Sequence, residues 1–147
     1  MDNTSFYEVS LQWEEGRKGL VSSPVLHESI EVATPPEFSK GIAGIWSPEH
    51  LLVAAVDSCL MTTFLAVAEN SGLEFIRFES KALGKLERVE GRYLISEIRL
   101  SPRLEIADGS QREKALKVLQ KSEAACLISN SIKSKIVVAP EICVKEG

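Results

Sequence analysis

An apolar stretch between residues 51 and 68 constrains the fold of this chain more than any other feature. Ser47 and Pro48, directly before it, suit the N-cap and the first position of a helix. Glu49 follows in the first turn, where the helix dipole favours a negative charge. We therefore predict a helix from Pro48 to about Asn70. Because apolar residues occupy nearly every face, we expect it to be buried all round, in a core or at a subunit interface.

Segments on both sides of this helix alternate polar and apolar residues, a pattern typical of strands. A second helix and a short helical stretch follow the later strands. In chain order, the predicted elements are strands at Tyr7–Trp13 (half-buried), Leu20–Ser23 and Ser29–Ala33, the long helix, a hairpin within Leu73–Ile106 that turns at Glu90-Gly91, helices over Ser110–Ala125 and up to Lys133, and a strand over Lys135–Val144. The order βββ-α-ββ-αα-β defines an α+β fold. With 147 residues, we expect one domain over positions 1–147.

Composition limits the partners and the compartment. The net charge is −4 and the basic residues are scattered, which disfavours a nucleic-acid surface. The N-terminus lacks the pattern of a secretory signal, and the apolar run over residues 51–56 stops at Asp57, too short to span a bilayer. We therefore expect a cytoplasmic protein without membrane contact, in which thiols are kept reduced. Three cysteines there are buried fillers, metal ligands or reactive groups.

The three cysteines differ in their surroundings. Cys59 lies in the long helix beside Asp57 and Ser58, polar residues in an apolar segment that imply a polar neighbour. Cys126 lies between two helical segments, where a helix N-terminus stabilises a thiolate. Taken alone, either cysteine is better explained by packing. Cys143, in an alternating strand, is interpreted as a packing residue.

Other site chemistries have no support in the spacing of residues. The sequence has no C-x-x-C pair, and His27 and His50 stand apart from the cysteines, so we expect no zinc site. There is no nucleophile-elbow motif of a serine hydrolase and no glycine-rich phosphate loop.

Three motifs in order along the chain resemble those of the OsmC/Ohr family, the osmotically inducible and organic hydroperoxide resistance proteins. The segment 47–59 is similar to the family's Pro-Glu, apolar run and reactive cysteine. Residues 126–130, with the sequence CLISN, resemble its Cys-Pro-Val-Ser-Asn motif, and residues 16–19 resemble its Gly-Arg-x-Gly turn. The resemblance covers essentially the whole chain and implies the OsmC-like fold.

The resemblance implies a thiol-dependent peroxidase that reduces organic hydroperoxides to alcohols in oxidative-stress defence. Cys59 would be the peroxidatic cysteine and Cys126 the resolving one, joined in a redox-active disulfide, with Arg17 and Glu49 as the activating pair. It further implies an intertwined homodimer with active sites at the subunit interface and no metal or organic cofactor. The reductant would be an external dithiol, such as a protein-bound dihydrolipoyl group.

Two positions depart from the family pattern. Leu127 stands where the family often has proline, which would loosen the geometry around Cys126. Asp57 stands where a small residue is more frequent, and a carboxylate near Cys59 would raise the pKa of its thiol unless it pairs elsewhere. Asp57 lies about 200° around the helix from Cys59, which allows it to point away.

A mechanism follows from the implied roles. A guanidinium at Arg17, oriented by Glu49, would lower the pKa of the Cys59 thiol. Ten residues of helix separate Glu49 from Cys59, a rise of about 15 Å, so we expect the activating pair to come from the partner subunit.

The preference for organic peroxides would come from apolar walls. The candidates are Leu51, Leu52, Phe64 and Trp46. A non-catalytic protein of the same fold that binds a small molecule in an apolar cavity is the alternative function.

Overall fold

The computed structural model describes residues 3–145, which form seven β-strands, three α-helices and one short 3-10 turn. The elements in order are β1 Ser10–Glu15, β2 Lys18–Ser22, β3 Ile30–Ala33, α1 Pro48–Ser71, β4 Arg77–Val89, β5 Arg92–Ile106, the 3-10 turn Gly109–Gln111, α2 Arg112–Ala125, α3 Leu127–Asn130, β6 Lys135–Val138 and β7 Glu141–Val144. The α+β class and the predicted order up to α3 are confirmed. The chain divides into two compact units, Met1–Leu51 and Leu52–Gly147, and the single domain over residues 1–147 stays a prediction.

The first unit contains an antiparallel sheet in the order β1-β2-β3. Gly16, with a φ of 54°, lies in the turn between β1 and β2, a conformation that favours glycine. Every residue of β1 is exposed, including Leu11 at 72% and Trp13 at 73%. The prediction of a half-buried first strand is therefore wrong for this chain, because none of the described residues covers these side chains.

The second unit is built on the long hairpin of β4 and β5. Glu90 and Gly91 form its turn with φ values of 51° and 80°, the mirror-image turn that matches strand twist. The predicted turn is therefore confirmed. The 13 residues of β4 pair with the 15 residues of β5 and form the main part of the sheet of this unit.

The last predicted strand, Lys135–Val144, is two strands. β6 pairs in parallel with the middle of β5, residues 97–100, and β7 pairs in parallel with its last four residues, 103–106. Ala139 still donates its N–H to Leu100 O at 2.9 Å, but Pro140 has no N–H to continue the ladder. The alternating pattern did not reveal this break, because the strands on both sides of Pro140 pair with the same strand, β5.

The helix α1 runs from Pro48 to Ser71, in agreement with the predicted span. Only one face of it is buried in the chain, and that face carries Val56, Cys59, Leu60, Phe64 and Ala68. Met61 and Leu65 are exposed, so the prediction of burial all round is wrong within one chain, and the subunit interface stays a prediction. By length and composition alone α1 could cross a bilayer, a test that core helices of soluble proteins also pass.

Close packing between α1 and β4 fixes the position of the helix. A Cβ at Gly84 would lie 2.5 Å from Val53 Cγ2, so only glycine allows this approach. Further along, the ring of Phe64 stacks on Phe78 with centroids 4.7 Å apart. These contacts set which residues of α1 face the sheet and α3.

Candidate active site

The structure brings Cys59 and Cys126 together within the second unit. Cys126 lies between α2 and α3 in an extended conformation (φ −66°, ψ 106°), and its thiol is near enough to Cys59 to lower the pKa of the Cys59 thiol. Both cysteines are free thiols; Cys59 is 8% exposed and Cys126 1%. Two adjacent reduced thiols shielded from bulk water can form a disulfide after one of them is oxidised.

Opposing effects act on the ionisation of Cys59. Burial raises the pKa of its thiol, since a charge is poorly solvated there. Hydrogen bonds from the backbone N–H of Ile128 and from the Cys126 thiol lower that pKa. The Thr63 hydroxyl, 3.8 Å from the sulfur, and the backbone N–H of Leu127 lower it further. The net result is a pKa below the ordinary value, which favours the thiolate that a nucleophilic cysteine needs.

The second motif also organises the surroundings of Cys126. Ser129 Oγ donates a hydrogen bond to Cys126 Sγ at 3.3 Å. Asn130 Nδ2 donates to Ala124 O at 3.1 Å and the backbone N–H of Asn130 to Cys126 O at 3.1 Å. The serine therefore acts on the thiol, whereas the asparagine ties α3 to the end of α2.

The carboxylate of Asp57 faces the sheet. Ser80 Oγ, on β4, donates to Asp57 Oδ1 at 2.6 Å, and both residues are half-buried. The polar neighbour expected for this turn of α1 is thus a serine, and Asp57 pairs away from the Cys59 thiol.

Arg17 and Glu49 are not joined within the chain. Arg17 is exposed in the turn after β1, and its carbonyl accepts the N–H of Thr34 at 3.3 Å. Glu49 lies in the first turn of α1, and its Oε1 is buried without a hydrogen-bond partner among residues 3–145. In the same part of the chain no ion pair links it to Arg17. Their activating role stays a prediction.

The expected apolar wall at Phe64 is wrong. This ring is completely buried and contacts Phe75 and Phe78, with centroids 5.1 and 4.7 Å away, so it has no free face for a substrate. The other wall candidates differ, because Leu51 and Leu52 are half-buried while Trp46 is exposed beside His50.

Thr63 and the donors of α3 were not predicted from the sequence. Thr63 follows Cys59 by four residues, a spacing that places two side chains on one face of a helix. The sequence therefore contained enough information to predict Thr63 as a neighbour of Cys59. The backbone N–H groups of Leu127 and Ile128 carry no side-chain signal, because only the fold directs them to Cys59.

Cys143 lies half-buried on β7, where Arg103 Nε donates to its sulfur at 3.3 Å. It accordingly packs as a strand residue beside an arginine. Within residues 3–145, no three His, Cys, Asp or Glu side chains are grouped so that they could hold a metal ion.

Comparison with known proteins places these residues in a family context. Residues 41–141 match the family described as OsmC-like protein, a span that includes Glu49, Cys59 and Cys126. The protein YmaD of Bacillus subtilis is 28% identical over 152 residues, covering 100% of this chain and 99% of YmaD.

Two solved structures have similar folds. An OsmC-like protein from Vibrio cholerae superposes with a TM-score of 0.83 at 19% identity, covering 93% of this chain and 99% of that one. The organic hydroperoxide resistance protein OhrB of Bacillus subtilis gives a TM-score of 0.69 at 22% identity, covering 94% and 98%. These similarities establish the shared OsmC-like fold.

Proposed function

Because this chain belongs to the family of OsmC-like proteins, we propose that it is a thiol-dependent peroxidase that reduces organic hydroperoxides to alcohols. A structural relative is named an organic hydroperoxide resistance protein, which supports a role in peroxide defence. The observation that carries the proposal is the pair of shielded thiols Cys59 and Cys126, of which the second helps to hold the pKa of the first below its ordinary value.

In the first step the thiolate of Cys59 attacks one oxygen of the hydroperoxide. The O–O bond breaks, the departing alkoxide takes up a proton to become the alcohol, and Cys59 becomes a sulfenic acid. The N–H groups of Leu127 and Ile128 and the Thr63 hydroxyl stabilise the attacking anion.

In the second step Cys126 attacks the sulfenic sulfur. A disulfide forms between Cys59 and Cys126, and the sulfenic oxygen leaves as water with two protons. The position of Cys126 supports this step, because its thiol is near enough to Cys59 in the reduced protein to lower the pKa of the Cys59 thiol. An external dithiol, such as a dihydrolipoyl group, then reduces the disulfide and is itself oxidised. The proposed cycle uses no metal or organic cofactor and operates in the cytoplasm.

We include a homodimer in this proposal. Leu11 and Trp13 present an apolar face that a second copy would cover, and Glu49 Oε1 is buried without a partner among the described residues. Because Glu49 and Cys59 stand about 15 Å apart along one helix, Glu49 would serve the cysteine of the other subunit.

The test is mass spectrometry of the non-reduced protein before and after one equivalent of cumene hydroperoxide. Trypsin cleaves after Lys and Arg, so Cys59, Cys126 and Cys143 fall in separate peptides, 41–77, 122–133 and 136–145. We expect the loss of two hydrogens and a cross-link between the first two peptides.

A Cys143→Ser variant is the matched control and should form the same cross-link. Unmodified thiols after peroxide treatment would contradict the proposal and favour the alternative of a non-catalytic protein that binds a small molecule.

A further inference from the structure

The sulfur of Cys126 has a hydrogen-bond donor three residues further along the chain. Ser129 Oγ donates to Cys126 Sγ at 3.3 Å. Cys126 is 1% exposed and Ser129 is half-buried, so water cannot readily replace this donor if it is removed. A serine inside a helix commonly donates back to a backbone carbonyl or points into solvent. The hydroxyl of Ser129 is instead committed to a thiol.

The backbone of Cys126 is held on both sides. Its N–H donates to Glu123 O at 3.4 Å, and its carbonyl accepts the N–H of Asn130 at 3.1 Å. Once the backbone is held, the sulfur moves only by rotation about χ1, which populates staggered positions. The hydrogen bond from Ser129 favours one of these positions. The direction in which the Cys126 thiol points is therefore set by the Ser129 hydroxyl.

The same hydroxyl faces an atom that gains charge when a disulfide forms. To attack an oxidised Cys59, the sulfur of Cys126 must lose its proton, because the thiolate is the nucleophile. A charge in a buried place is costly unless hydrogen bonds stabilise it. Hydrogen bonds to an ionised acceptor are stronger than those to a neutral one, so the bond from Ser129 strengthens as the charge develops.

We propose that Ser129 is the positioning residue of the resolving step, in which its hydroxyl orients the Cys126 sulfur for attack and stabilises the negative charge that this sulfur develops. The consequence for peroxide turnover rests on the proposed function. The consequence for disulfide formation does not, because an oxidant other than a peroxide can drive it.

The test uses diamide, an azo compound that oxidises pairs of thiols. The Cys59 thiolate adds to the N=N bond, which takes up a proton, and Cys126 then attacks the Cys59 sulfur. The S–N bond breaks, the S–S bond forms, and the hydrazine product leaves with the proton of Cys126. Every protein in the test carries Cys143→Ser, which leaves Cys59 and Cys126 as the only cysteines. Acid quenching and mass spectrometry of the intact protein give separate rates for the adduct and the disulfide.

Three variants separate the hydroxyl from the segment that carries it. Ser129→Ala removes the donor, and Ser129→Thr keeps it. Ser131→Ala removes another side-chain hydrogen bond of the same segment, from Ser131 Oγ to Leu127 O at 2.7 Å, which does not involve a sulfur. We expect Ser129→Ala to form the disulfide about tenfold more slowly at an unchanged rate of adduct formation. Ser129→Thr and Ser131→Ala should match the parent protein.

Excess peroxide examines the same step in the proposed cycle. Slower resolution prolongs the life of the sulfenic acid, so Ser129→Ala should accumulate more over-oxidised Cys59 than the parent protein. Slower disulfide formation with diamide in a protein that does not turn over peroxide would support the inference and contradict the proposed function. An unchanged rate of disulfide formation in Ser129→Ala, or an equal loss in Ser131→Ala, would overturn the inference.

A second measurement does not depend on the folding of any variant. In the unmodified chain, the NMR couplings between Hα and the two Hβ protons of Cys126 report its χ1 angle. They should have the values of one staggered position, as expected for a sulfur held by Ser129. Couplings averaged over several positions would overturn the inference.

Discussion

Ser80 on β4 donates a 2.6 Å hydrogen bond to the carboxylate of Asp57 on α1, only two residues before Cys59 in the chain. The bond joins the helix that carries the nucleophile to the sheet beneath it. It also holds the Asp57 carboxylate against β4. Ser80 therefore helps to anchor α1 to the sheet at the turn that precedes the nucleophile.

We expect Ser80→Ala to lower the free energy of unfolding by about 1–3 kcal/mol, because it leaves a half-buried carboxylate without its donor. Urea denaturation measures the change as a shift in midpoint at constant slope. Ser101→Ala, an exposed serine on the neighbouring strand, is the matched control and should stay within about 0.5 kcal/mol.

A double-mutant cycle with Asp57→Ala assigns the effect to the pair. The cost of Ser80→Ala should become small once Asp57 has been removed. Equal costs in both backgrounds would show that the hydrogen bond does not contribute to stability.

Local signals in the sequence predicted much of the fold. The capping residues at Ser47 and Pro48 fixed the start of α1, and the Glu90-Gly91 pair fixed the turn of the hairpin, since both depend on a few adjacent residues. The burial of β1 failed for the opposite reason. Alternation states which side chains share a face but not whether anything covers that face.

In the candidate site, too, features set by local motifs were predicted and contacts between distant residues were not. The motif residues Cys59 and Cys126 were predicted as a pair and lie together. The partner of Asp57 is 23 residues away along the chain, and the donor at Leu127 is a backbone group, so neither leaves a pattern in the sequence. Such contacts depend on the tertiary arrangement alone.

The lowered pKa of Cys59 predicts how the protein responds to pH. The rate of peroxide attack should remain high below about pH 8.5, the usual pKa of a free cysteine, and fall as the pH drops through the lowered value. Because the folded pKa lies below the unfolded one, ionisation also stabilises the fold. That contribution is complete above the unfolded pKa and is lost as the pH falls through the folded pKa.

Peroxide consumption between about pH 5 and pH 9 measures the kinetic profile. Thr63→Val, which removes the hydroxyl near the sulfur at nearly constant volume, should move the midpoint to higher pH. A midpoint at or above that of free cysteine in the unmodified chain would contradict the assignment of the donors around Cys59.

Replacement of Cys126 by serine should separate the two steps of the cycle. A serine hydroxyl can still donate to Cys59, so the first attack on peroxide should proceed, but no disulfide can form. We expect one equivalent of peroxide to be consumed per subunit, followed by a stall. With excess peroxide, peptide 41–77 should gain two or three oxygen atoms as Cys59 is over-oxidised.

Cys143→Ser is the control for this experiment and should turn over peroxide at the unmodified rate, because Cys143 contacts Arg103 on the sheet. Continued cycling of the Cys126→Ser protein would remove Cys126 from the resolving role.

Mixing two impaired variants tests which subunit supplies the activating pair. Arg17→Ala should reduce kcat/KM by at least about tenfold through loss of the cation that favours the thiolate, and Cys59→Ser should abolish turnover. If Arg17 and Glu49 serve the partner subunit, a mixed dimer of these two variants contains one complete site. The mixture should then recover up to a quarter of the unmodified activity, since roughly half of randomly assorted dimers are mixed and each has one of two sites.

In a parallel mixture, Glu49→Gln replaces Arg17→Ala and should give the same recovery of activity. The reason is that Glu49 Oε1 is buried and has no hydrogen-bond donor among the described residues of its own chain. A mixture of Arg17→Ala with Glu49→Gln is the matched control. Each subunit there lacks one member of the pair, so neither site is complete and activity should not recover. Absence of recovery in the Cys59→Ser mixtures, with dimer exchange verified by mass, would place the pair in the same subunit as its cysteine.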